Sequence, residues 1–107
     1  MLCLLLSLII SRIEANTNNY SISGRISDER TGSPLPGASI LIKGTYLWAV
    51  SDQKGEFTIQ GIQEGKYQLE VSFLGYVPAT VPVNVNNSIK GLKIQLKENT
   101  LALNDVI

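Results

Sequence analysis

Alternation with a period of two, broken every 8–12 residues by glycine or proline, is the feature that most restricts what this chain can form. Tyr67, Leu69, Val71 and Phe73 alternate with Gln68, Glu70 and Ser72, which lays one apolar and one polar face along an extended strand. The same pattern recurs at Tyr20–Ser27 (Ile22, Gly24, Ile26), Ala38–Lys43 (Ala38, Ile40, Ile42), Glu56–Gln60 (Phe57, Ile59), Val81–Val85 and Leu92–Leu96. Ala49–Ser51 is a shorter candidate. Leu41 lies opposite the apolar face of its run, so that strand is expected to be covered on both sides. No stretch carries the 3.6-residue period of an amphipathic helix, and seven such runs predict an all-β sandwich.

The residues between the runs agree. Asp28-Glu29-Arg30-Thr31-Gly32, Asp52-Gln53-Lys54-Gly55 and Glu64-Gly65 are polar turns ending in glycine. Pro34 and Pro36 hold the approach to the second run extended. Pro78 and Pro82 flank or interrupt the sixth, which places it at a sheet edge, because proline cannot donate to a ladder.

Residues 1–15 differ from the rest. Leu2–Ile10 holds eight apolar residues in nine, too short for a membrane helix of about 20 residues but suited to the apolar core of a secretory signal peptide, with cleavage after Ala15. Asn16–Asn19 then reads as a polar spacer. The only cysteine, Cys3, lies inside this leader, so the mature chain would carry neither a disulfide nor a thiol. With 9 basic against 9 acidic residues, the chain has no electrostatic footprint for nucleic acid or an anionic membrane. With no histidine, it has no histidine nucleophile, proton shuttle or metal cage. No cofactor, metal or catalytic residue is expected.

From Ser23 onward the chain resembles the carboxypeptidase regulatory-like domain. The resemblance rests on Gly24, Pro34-Leu35-Pro36-Gly37-Ala38, Lys43-Gly44-Thr45, Asp52-x-x-Gly55-x-Phe57 and Phe73-x-Gly75-Tyr76, in that order. It implies a seven-stranded transthyretin-like (prealbumin-like) Greek-key β-sandwich over residues 20–97. In zinc carboxypeptidases a similar domain follows the catalytic domain. In TonB-dependent outer-membrane receptors, notably glycan and nutrient importers, one stands at the mature N-terminus, ahead of the plug and barrel. The order leader, domain, tail resembles the receptor arrangement. Residues 98–107 are similar to the lead-in to the box that contacts TonB, and Leu103, Asn104, Asp105, Val106 and Ile107 are similar to its opening. The resemblance therefore implies a periplasmic, non-catalytic receptor module, cut before the plug and barrel. Its expected partner is the periplasmic domain of TonB or an associated outer-membrane protein. A free-standing adhesion or carbohydrate-binding sandwich and an accessory domain of a secreted peptidase are the alternatives.

A tail of this kind offers chemistry of its own, since an extended segment can add to a partner's sheet through its backbone; a frayed end or an eighth strand is the plainer reading. Asp52–Glu56 superficially resembles a calcium loop, but Lys54 would place a cation in the cage, and a turn accounts for it better. Glu56, Glu64 and Glu70 read as solvated strand faces rather than a catalytic carboxylate pair. Tyr46-Leu47-Trp48, between the second and third runs, breaks the expectation of a polar loop. It is either a partner surface or, with Trp48 folded back, a cap on the core.

Overall fold

The computed structural model describes residues 19–99. Seven strands form: β1 (Asn19–Asp28), β2 (Ser39–Ile42), β3 (Trp48–Val50), β4 (Glu56–Gln63), β5 (Gly65–Ser72), β6 (Ala79–Val85) and β7 (Ile89–Leu96). They make a three-stranded sheet in the order β4-β1-β7 and a four-stranded sheet in the order β3-β2-β5-β6. All neighbours run antiparallel except β1 and β7, which are parallel. The fold is the expected β-sandwich, and no helix occurs among the described residues. The leader and the segment Leu103–Ile107 lie outside them, as does the spacer apart from Asn19, which opens β1.

Alternation decides which side chains meet between the sheets. Ile22 and Ile26 of β1, Ile40 and Ile42 of β2, Phe57 and Ile59 of β4, Leu69 and Val71 of β5, and Ile94 and Leu96 of β7 are buried in one cluster. Each such side chain contributes about 1.5–3 kcal/mol when taken out of water. Tyr67 and Phe73, the outer members of the cleanest alternating run, are half-buried against the same cluster. The β6 strand sits at a sheet edge, where its proline needs no ladder partner.

Two strands run further than strict alternation predicts. The β4 strand continues past Gln60 to Gln63 and buries Ile62, although Ile59 and Ile62 are three apart. Between the pairs Tyr20↔Ile62 and Ile22↔Ile59, β4 uses three residues where β1 uses two. Gly61, at φ 77°, absorbs the extra residue as a bulge. The other neighbour of β1 does the same: Ile22↔Ile89 and Gly24↔Leu92 leave an extra residue on β7, with Gly91 at φ 70°. At that bulge β7 presses against β1, and a Cβ on Gly24 would lie 2.9 Å from the Leu92 Cβ and overlap the Leu92 carbonyl oxygen.

One expectation is corrected. Leu41 is 38% exposed rather than covered. The four-stranded sheet has only one neighbouring layer, so the outward face of β2 meets solvent.

Candidate functional site

Two places on the sandwich depart from plain scaffold. The first is the corner where the chain leaves it. After β7, Lys97–Asn99 runs alongside Gly75–Val77. The Val77 N–H donates to the Lys97 carbonyl (2.8 Å), the Asn99 N–H donates to the Gly75 carbonyl (2.9 Å), and Tyr76 stands opposite Glu98. Asp28, at the end of β1, fastens this corner. Its Oδ1 accepts the backbone N–H groups of Arg30 (2.7 Å) and Thr31 (3.0 Å), which closes the turn after β1. Its Oδ2 accepts the Tyr76 hydroxyl at 2.6 Å. Tyr76 packs its ring on Phe73, centroids 5.6 Å apart.

These bonds set the protonation states. The Tyr76 hydroxyl, aided by the Thr31 and Arg30 amides and the Arg30 charge, holds the Asp28 carboxyl below its ordinary 3.8 against an opposing effect of burial. In turn, the bond to Asp28, with burial and the Asp28 and Glu98 charges, pushes the Tyr76 phenol above its ordinary 10.0. A carboxylate accepting three hydrogen bonds and a phenol kept protonated are a structural fastener; neither is poised to exchange a proton near neutrality. Sequence reading finds the two residues separately, Asp28 as a turn residue and Tyr76 in a motif. Nothing in the sequence couples positions 48 apart.

The second place is the outer face at the β3 edge. Tyr46, in the turn before β3, is 97% exposed, and Trp48, the first residue of β3, is 64% exposed. Trp48 does not fold back over the core. Leu47 separates from them: it is half-buried against the core, and its N–H donates to the Thr45 hydroxyl. Two residues outside Tyr46-Leu47-Trp48 join instead. Leu41 stands directly across from Trp48, and Val50, 49% exposed, is two along β3 on the same face. For Val50 the shared face was legible in the alternation, since residues two apart on one strand lie on the same side of the sheet. Leu41 joins them through the pairing of β2 with β3, which no local pattern records.

Among the described residues no cluster of three or more acidic, cysteine or histidine side chains is placed to hold a metal ion. No buried side-chain polar atom among them lacks a hydrogen-bond partner. Glu56 and Glu70 are exposed on strand faces, and Glu64 is exposed between β4 and β5.

The CarboxypepD_reg-like domain family matches residues 22–107. The chain belongs to that family. TonB-dependent receptor SusC of Bacteroides thetaiotaomicron is 30% identical over 107 residues, covering 100% of this chain and 10% of the receptor. TonB-dependent receptor P3 of Formosa agariphila is 29% identical over 101 residues, covering 94% of the chain and 10% of the receptor. The CarboxypepD_reg-like domain described here thus spans about a tenth of the curated relatives it matches. Among solved structures, a chain from a type II cohesin–X-dockerin complex of Acetivibrio cellulolyticus, an N-terminal interface mutant, superposes with a TM-score of 0.64 at 25% identity. That match covers 74% of this chain and 58% of the other. Both curated relatives are receptors by name.

Proposed function

We propose that this domain is an exported, non-catalytic module of a TonB-dependent outer-membrane receptor for nutrients of the glycan type. It works in the periplasm, ahead of the plug and barrel. The observation that carries this reading is the similarity to TonB-dependent receptors along the whole chain, tail included, rather than over the sandwich alone. The corner at Asp28 and Tyr76 supports it physically. It fastens the chain as far as Asn99, so the segment Leu103–Ile107 begins four residues beyond a fixed point. In this reading Leu103, Asn104, Asp105, Val106 and Ile107 offer an extended strand to the periplasmic domain of TonB, the backbone supplying affinity and alternate side chains specificity.

Retention on immobilised TonB periplasmic domain tests the tail, comparing the full chain with one lacking Leu101–Ile107. The full chain is expected to be retained and the shortened chain lost; equal retention removes the tail as a docking segment. Reading the coding frame past Ile107 tests the larger assignment. A plug followed by alternating amphipathic strands supports the receptor, whereas a zinc-peptidase motif of the HxxE type overturns it in favour of a peptidase accessory domain.

A further inference from the structure

The four-stranded sheet has two edges of opposite character. At β6, Pro82 lacks the N–H that a pairing strand would need, and Pro78 stands just before the strand. At β3 there is no proline, and β3 pairs with β2 alone. The Ile42 N–H donates to the Leu47 carbonyl (3.0 Å), and the Ser51 N–H donates to the Ala38 carbonyl (2.9 Å). Antiparallel ladders alternate, so Leu47, Ala49 and Ser51 turn their backbone groups toward β2, while Trp48 and Val50 turn theirs toward the open side. The two residues whose backbone is free for pairing are therefore the two whose apolar side chains stand exposed on the outer face.

We propose that β3 pairs edge to edge with β3 of a second copy of this chain, antiparallel about a two-fold axis through Ala49. That register places Trp48 opposite the second copy's Val50 and Val50 opposite the second copy's Trp48. Each pair exchanges both of its backbone hydrogen bonds. Each also sets an aromatic ring against a β-branched side chain on one face, a favourable cross-strand pairing. A second copy is the occupant that suits this edge, because the two exposed apolar side chains of β3, Trp48 and Val50, then cover each other. Thr45–Ser51 contains no Lys, Arg, Asp or Glu, so two copies bring no like charges together. The two four-stranded sheets become one continuous sheet, while the three-stranded sheets keep their own edges. Three residues make a small interface, so the association is weak and reversible. The proposal does not depend on the receptor reading, and its test involves neither TonB nor uptake.

Sedimentation velocity on the full chain, in a series rising to about 1 mM, reads the association. The wild type is expected to shift toward dimer. Trp48 is the only tryptophan, so its emission should move to the blue along the same series. In hydrogen exchange, the Trp48 and Val50 amides should gain protection with concentration while the Ala49 amide, already bonded to β2, stays constant. Val50→Pro removes only an outward-facing donor and is expected to leave a folded monomer. Val50→Asp gives the same readout should the proline distort the strand. A chain that stays monomeric throughout overturns the proposal, and so does a dimer that survives both substitutions with Trp48 emission unmoved. A partner strand from another protein would give the first of these results.

Discussion

The corner at Asp28 and Tyr76 and the edge at Trp48 and Val50 both break the inside-apolar, outside-polar rule, in opposite directions. The corner buries a carboxylate and satisfies it within the chain, with two amides and a phenol. The edge exposes apolar side chains and leaves their backbone groups unpaired on the open side. A buried charge with all its bonds made is a closed local structure. Exposed apolar surface beside an open ladder is complete only with something from outside.

Four substitutions sharpen this contrast. The largest effect is expected from Ile40→Ala, which empties a fully buried position of β2 and should cost about 2–5 kcal/mol in urea unfolding. Gly24→Ala comes next: its Cβ meets the backbone of Leu92, and forcing β7 outward should cost about 1–3 kcal/mol by the same measurement. Tyr76→Phe should lower the urea midpoint less, with a pH signature that marks the corner. The depressed Asp28 contributes stability that is complete above its ordinary 3.8 and is lost as pH falls through its folded value. The raised Tyr76 contributes stability that is complete below 10.0 and is lost as pH rises through its folded value. The gap between wild type and Tyr76→Phe should therefore be widest between those limits and close at either extreme. A gap independent of pH would show that the bond to Asp28 is not what the phenol supplies. The smallest effect belongs to Leu41→Ser, one residue from Ile40 but on the outer face, with less than about 0.5 kcal/mol expected. A large loss there would mean that the outer face is already covered within one chain.

The sequence pattern carried the strand number and most of the core, because each strand has one wet face and one dry one. Ile22, Ile40, Leu69 and Ile94 are all found where alternation puts them. What it missed has specific causes. A period-two template loses phase at a bulge, so it ended β4 at Gln60 and began β7 at Leu92. The bulges at Gly61 and Gly91 carry those strands on to Gln63 and back to Ile89. Exposure of Leu41 and Val50 depends on how many layers cover a sheet, which alternation does not encode. The bond from Tyr76 to Asp28 arises from chain reversals that bring the end of β1 and a distant loop to one corner. No local pattern records such a meeting. The aromatic segment gave the reverse result: Tyr46 and Trp48 stood out in the sequence as anomalies and stand out in the fold as exposed, while Leu47 between them turned inward.

The parallel pairing of β1 with β7 has a mechanical meaning. Because the two strands point the same way, the polypeptide arrives at one pole of the sandwich at Asn19 and departs from the other beyond Leu96. Their centres of pull are thus separated by roughly the length of a strand of 8 to 10 residues, about 3.3 Å for each. Tension between those two points would draw the strands lengthwise past each other. The rungs from Ile22 to Asp28 would strain in concert, with none peeling ahead of the next.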